Sequence, residues 1–388
     1  MSEIQHSSRA HARLNASSSH RWMMCPPSVK LSEQFEDKPS PYAEEGTFLH
    51  ELCELKLHRY LGDMAADLIE QQYAEHRDND FYSDEAESVT DEYVAFCIET
   101  IEAVRLSCPD PLIMVEHRLD YSEYVPEGYG TGDLVIVADG VIEVIDFKGG
   151  RGVRVEAQRN SQLMLYGLGA LLEFDTLYDI RSVRMTIVQP RLSNTSTYEI
   201  AADDLIHWAE SEVRPKALLA YEGRGEYCAG EWCRFCKARY TCRKRSEYHM
   251  RLAERDFRQP DLLSDEEIAD ILPVAESLNS WVQDLLSYAT QEAVGGKSWP
   301  GYKLVAGRSV RRYTSEAEVI KAATEAGYTD IYKTSLLGVG DLEKRMGRKR
   351  FSEVLGRYII KPAGAPTLVP ESDPRKPYSD AASDFGQA

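Results

Sequence analysis

Three charged residues carry the densest chemical signal in this chain: Asp133, Asp146 and Lys148. Asp133 closes the run Gly130-Thr-Gly-Asp133 and is followed by the apolar stretch Leu134-Val-Ile-Val137. A second apolar stretch, Val141-Ile-Glu-Val-Ile145, leads into Asp146-Phe-Lys148. Ala138-Asp139-Gly140 joins the two, and Asp-Gly between apolar runs is a strong hairpin signal. A hairpin here brings Asp133 and Asp146 together. Residues two apart on a strand face the same side, so Asp146 and Lys148 point into one site. Two carboxylates and an amine at strand ends suit a hard divalent cation beside a group that handles a water nucleophile. Taken singly, an Asp near glycines is a turn former and Asp-x-Lys is a solvated strand face. Here the charges follow a very apolar run and precede Gly149-Gly150, so a buried strand opens into a cleft.

Other elements must hold that cleft. From Glu44 to Leu61, Phe48, Leu49, Leu52, Leu55 and Leu57 recur near helical spacing, which places His50 on a helix. Asp84 to Ser107 reads as another helix. Ile113-Met-Val-Glu116 reads as a strand leading to Asp133, and Val183 to Val188 as a further strand. Ser161 to Leu172 is an apolar helix with Gln162 and Tyr166 four apart on one face. Asp203 to Glu222 reads as a helix leading into a cysteine-rich segment. The order predicts an α/β fold, a mixed sheet with helices on both faces.

Asp133, twelve residues, Asp146-Phe-Lys148-Gly, then Gln162-x-x-x-Tyr166 on a helix resembles the RecB-like branch of the PD-(D/E)XK nuclease superfamily. Gly46-Thr-Phe-Leu-His50 matches that branch's Gly-x-x-x-His setting. Many superfamily members have Glu where this chain has Asp146. The resemblance spans roughly residues 15 to 245 and implies a restriction-endonuclease-like core. It implies His50, Asp133 and Asp146 as ligands of Mg2+ or Mn2+, joined by the backbone carbonyl of Phe147. It further implies that Lys148 orients or activates water, and that Gln162 and Tyr166 support the site and touch DNA. Strand-end processing by an exonuclease, rather than an endonuclease, is favoured by resemblance alone.

The cysteines give an independent signal. Cys53, Cys97 and Cys108 lie in or beside helix-like apolar stretches, where a free cysteine is a small core residue. Cys228, Cys233, Cys236 and Cys242 crowd together among Trp232, Arg234, Phe235, Lys237, Arg239 and Tyr240. The polar N-terminus has no apolar export segment and no apolar run spans a membrane, so a reducing, cytoplasmic setting is expected and the cluster reads as a metal site. Two metals compete. Zinc could be held by Cys228, Cys233, Cys236 and Cys242 alone. The resemblance extends instead to an iron–sulfur subgroup that includes CRISPR-associated RecB-like exonucleases and the AddB nuclease domain. It implies a 4Fe-4S cluster on Cys25, Cys233, Cys236 and Cys242, stapling the ends of the catalytic domain.

A chain of 388 residues with 43% hydrophobic content can hold one large and one small domain. Its formal charge of −19 is unusual for a nucleic-acid binder, but from 297 to 361 there are 14 Lys and Arg against 7 Asp and Glu. The expected division is a flexible 1–16, a nuclease domain with its cluster at 17–250, a helical connector at 251–296, a small basic α+β module at 297–361 and a disordered tail at 362–388. Within the module, Arg308, Arg311, Arg312, Lys344, Arg345, Arg348, Lys349 and Arg350 are candidate DNA contacts, and the module either grips DNA or docks a partner. No Walker A loop or Rossmann fingerprint is present, which argues against a helicase or dinucleotide enzyme. Taken whole, the chain looks like a stand-alone phage or prophage nuclease, similar to a family labelled only as of unknown function. By resemblance, a single-strand annealing recombination protein is the implied partner. The competing expectation is a non-catalytic DNA- or protein-binding module that keeps the nuclease fold.

Overall fold

The computed structural model describes residues 12–36, 41–253 and 265–302. The expected hairpin forms: strands β2 (Tyr129–Ala138) and β3 (Val141–Phe147) run antiparallel in the register Leu134↔Ile145 to Ala138↔Val141. Asp139-Gly140 makes the turn, and Gly140 takes the left-handed conformation (φ 84°) that such two-residue loops demand. Strand β1 (Leu112–Asp120) pairs antiparallel with β2 on the outer side. Strand β4 (Ser182–Gln189) pairs parallel with β3, and β5 (Asn194–Ala201) closes the sheet antiparallel to β4. The result is one five-stranded mixed sheet in the order β1-β2-β3-β4-β5.

A parallel β3–β4 pair needs a crossover, supplied by the helix Ser161–Tyr178. Asn160 starts it, its side-chain oxygen accepting the backbone N–H groups of Gln162 and Leu163. This helix, the short helices Ser19–Met24 and Ser28–Ser32, and the helical run Ala202–Glu222 cover one face of the sheet, against Val135, Val137, Val144 and Met185. That run holds a π-turn at Ala209–Val213 between α-helices Ala202–Trp208 and Arg214–Glu222. The helices Pro41–Leu61 and Asp84–Ser107 cover the other face, against Leu134, Ile136, Ile145 and Phe147. Apolar residues of β2 alternate between the two cores, as period-two geometry requires. Helices therefore lie on both faces of a mixed sheet, and the α/β class read from the sequence stands.

Some elements depart from expectation. Residues 12–16 are not frayed: Ala12, Leu14 and Ala16 are buried, and Trp22 donates its indole N–H to the Asn15 carbonyl. Their alternating apolar pattern is short enough to pass for a tail. The helix Ala66–Arg77 and the strand β5 were not expected. The chain divides into two compact units, Met1–Tyr288 and Ala289–Ala388. In the first, the helix starting at Asp265 is more than a connector. Its Asp284 accepts from Arg245 at 2.7 Å, its Trp281 stacks on His249, and its Tyr288 stacks on Tyr240. Of the second unit, residues 289–302 are described; the helix ends at Val294, just before Gly295-Gly296, and Trp299 bonds the Ala289 carbonyl. The basic-module residues from Arg308 to Arg350 and the tail lie outside the described residues. Among the described residues no helix is long and apolar enough to cross a membrane.

Candidate active site

One step beyond the Leu134↔Ile145 pair, Asp133 and Asp146 face each other across the hairpin. The Phe147 backbone N–H donates to Asp133 Oδ2 at 2.6 Å, in place of a ladder bond. Asp146 is nearly fully buried, with 2% of its surface exposed. The Lys148 backbone N–H bonds the Val188 carbonyl of β4, which fixes the base of that side chain. Its ammonium then lies 2.8 Å from Asp146 Oδ2 and 3.2 Å from Gln162 Oε1. The Gln162 amide donates onward to Asp146 Oδ1 and to the Tyr166 hydroxyl, each at 3.2 Å. Gln162 thus links the hairpin to the crossover helix. Gly130 leaves the Tyr166 ring its place, since a Cβ there would stand 2.6 Å from the ring.

From the opposite face, the helix Pro41–Leu61 brings in His50. Its Nδ1 lies 3.3 Å from Asp133 Oδ1, and its ring meets Phe147 edge-on. Glu116, on β1, stands with its carboxylate 4.0 Å from the same nitrogen. The six residues singled out in the sequence, His50, Asp133, Asp146, Lys148, Gln162 and Tyr166, are all brought together. Glu116 was read only as the end of a strand, and an acid closing an apolar run beside the Asp133 strand was the available signal.

The electrostatics suit a bound cation. Burial works to lower the His50 pKa, but Asp133, aided by Asp146, holds it up at about 9. Burial and the nearby Asp133 push Glu116 up to about 7. Asp133 is held below the usual carboxylate range, because His50 overcomes the cost of burial. Burial raises Asp146 against the pull of Lys148, and Asp146 in turn raises Lys148 although burial opposes it. Asp146 Oδ2 is buried, with the Lys148 ammonium 2.8 Å away as its cationic partner. His50, Glu116 and Asp133 offer donor atoms that all lie within 4.8 Å of one another. One imidazole with several carboxylate oxygens fits Mn2+ or Mg2+.

A cation needs His50 neutral and Glu116 ionised. Without one, His50 keeps its proton up to about 9 and Glu116 up to about 7, so binding must expel protons. Mn2+ affinity is therefore expected to rise as pH increases from about 7 to about 9, with proton release near neutrality. Calorimetric titrations in buffers of differing ionisation enthalpy measure both quantities. An affinity that does not change with pH over this range would contradict the assignment.

At the start and end of the sheet-covering helices, five cysteines line a single small cavity: Cys25, Cys228, Cys233, Cys236 and Cys242. The helices Ser19–Met24 and Arg214–Glu222 run side by side, which brings Cys25 to a segment more than two hundred residues further along. The Cys228 backbone N–H donates to Cys25 Sγ at 3.4 Å. No three of these sulfurs lie within 4.8 Å of one another. Burial raises the thiol pKa of Cys25 and of Cys233. Arg21, Arg239, Lys244 and Arg245 share the cavity wall and offer the positive charge that several thiolates would need. Thiolates on this wall could hold an iron–sulfur cluster through Cys25, Cys233, Cys236 and Cys242, or a zinc ion through Cys228, Cys233, Cys236 and Cys242.

A family model described as "Protein of unknown function (DUF2800)" matches residues 11–376. A solved structure described as "Crystal structure of SSO0001" is 12% identical, with 62% of this chain and 92% of that one covered and a TM-score of 0.26. At that similarity the match bears on neither fold nor function.

Proposed function

This chain belongs to the DUF2800 family, and we propose that it is a Mg2+- or Mn2+-dependent deoxyribonuclease with a RecB-like PD-(D/E)XK core. The observation that carries this reading is the Lys148 ammonium held 2.8 Å from buried Asp146 and 3.2 Å from Gln162, beside the Asp133–His50 pair. A cation bound there would neutralise charge on the scissile phosphate and lower the pKa of a bound water. The chain's own residues do the rest. Asp146 and Gln162 fix the Lys148 ammonium, leaving it protonated and able to orient a water or a phosphate oxygen. Phe147 is fully buried and its backbone N–H donates to Asp133, which ties the end of β3 to that carboxylate. Tyr166, tied to Gln162, closes the inner wall. The cysteine-lined cavity would carry a 4Fe-4S cluster whose part is structural, joining residue 25 to residues 233–242. Attack at strand ends during phage or prophage recombination, beside a single-strand annealing protein, is the setting proposed. Incubating the purified protein with labelled single strands, duplexes and flaps tests the reading: phosphodiester cleavage is expected with Mg2+ or Mn2+ and none with a chelator. Binding of DNA without cleavage under every one of these conditions would replace the enzyme with a non-catalytic module.

A further inference from the structure

Arg191 follows β4 in the 3₁₀ turn Pro190–Leu192, and its side chain is buried, with 7% exposed. Its guanidinium reaches three separate elements. One terminal nitrogen donates to the Gly149 carbonyl at 2.7 Å, directly after Lys148. The other meets Glu45 at 2.6 Å, on the helix that carries His50. Its Nε lies 3.4 Å from Glu85, in the first turn of the helix Asp84–Ser107. Arg151, from the loop that follows Gly149, also pairs with Glu85. The His50 helix packs onto the same glycine: a Cβ at Gly149 would stand 2.7 Å from Leu49 Cδ1 and 3.0 Å from the Phe147 ring. The site itself has two halves, His50 with Glu116 and Asp133 on one side, and Asp146, Lys148 and Gln162 on the other. Arg191 is fastened to both. Burying a charged fork costs desolvation, so an ion pair of this kind contributes little stability and serves better to fix one arrangement of the elements it joins. Arginine suits that task because its planar fork offers donors in fixed directions.

We propose that Arg191 is a positioning residue. By holding the Gly149 carbonyl and Glu45 in one fork, it sets the His50 helix and the Lys148 end of β3 at the separation that the proposed reaction needs. The inference rests on the nuclease reading and gives Arg191 no contact with substrate or cation.

Arg191→Lys in the full-length protein tests it, because the charge stays while the fork is lost. Single-turnover cleavage at saturating DNA is expected to slow by roughly 10- to 100-fold, the effect that a small misplacement produces from outside the chemistry. DNA affinity should hardly change. Mn2+ should bind about tenfold more weakly to the chelator-stripped variant, with free Mn2+ followed by its electron paramagnetic resonance signal. In the Lys148→Ala background the same substitution should slow cleavage far less, since residues that act through one another are not additive. Assays well below the melting temperature, with far-UV circular dichroism, separate these effects from lost stability. Glu45→Gln weakens one arm of the fork, should shift rate and Mn2+ affinity in the same directions by less, and serves if Arg191→Lys fails to fold. A variant as fast as an active parent overturns the proposal, as does parental Mn2+ affinity or an equal slowing in the Lys148→Ala background. A parent that never cleaves, with Mn2+ affinity that drops in Arg191→Lys, sinks the nuclease reading and leaves the positioning role standing.

Discussion

Replacing Lys148 with alanine is expected to slow single-turnover cleavage of labelled DNA by roughly 10²- to 10⁴-fold, the range that a positioned proton-handling group contributes. The fold should survive the change. Lys148 is anchored through its backbone to Val188, and its ammonium is held by the site residues Asp146 and Gln162. Asp146 would lose its countercharge, but burial already raises its pKa, so it can take up a proton instead of standing as a naked buried anion. DNA affinity under chelated conditions should change far less than the rate. Lys148→Arg is expected to stay slow, because a planar guanidinium cannot reproduce a compact ammonium between one carboxylate and one amide. A Lys148→Ala protein that cuts at the parental rate removes this residue from the chemistry.

Cys25→Ser is expected to bleach the protein. Anaerobically purified parent should be brown, with a broad absorbance near roughly 400 nm and about four irons per chain. The serine variant should carry almost none, although Cys25 is remote in sequence from Cys233, Cys236 and Cys242. Because the cluster would close a very long loop, the variant should also melt earlier. Cys228→Ser should stay coloured, since the contact of that residue with Cys25 runs through its backbone N–H. A colourless parent with one zinc, unaffected by Cys25→Ser, would decide for the local four-cysteine site.

What the sequence made legible follows from how each residue is positioned. Asp146 and Lys148 share a face by strand alternation, Gln162 and Tyr166 by helical spacing, and Asp139-Gly140 sets the register that opposes Asp133 to Asp146. These are local rules, and they held. His50 needed a long-range fact, that the helix Pro41–Leu61 lies over the β2–β3 end of the sheet, and the resemblance supplied it. Glu116 had neither aid. Its approach to His50 depends on a left-handed backbone in mid-strand, which no local propensity of Val-Glu-His announces. Strand β5 was missed for a different reason: Asn-Thr-Ser-Thr-Tyr-Glu-Ile-Ala is a polar edge strand, with half its side chains exposed. The burial of Leu14 and Ala16 shows the same limit, since a short apolar alternation carries meaning only once its partner helices are placed.

The most direct test of the central claim is Asp133→Ala assayed on end-labelled DNA with Mn2+, beside the parent and a chelated control. Asp133 is where the site's contacts converge: it meets His50 at 3.3 Å, takes the Phe147 N–H at 2.6 Å and lies opposite Asp146. Products are expected from the parent and none above the chelated control from the variant, with iron content and circular dichroism unchanged. Cleavage by Asp133→Ala at the parental rate would contradict it.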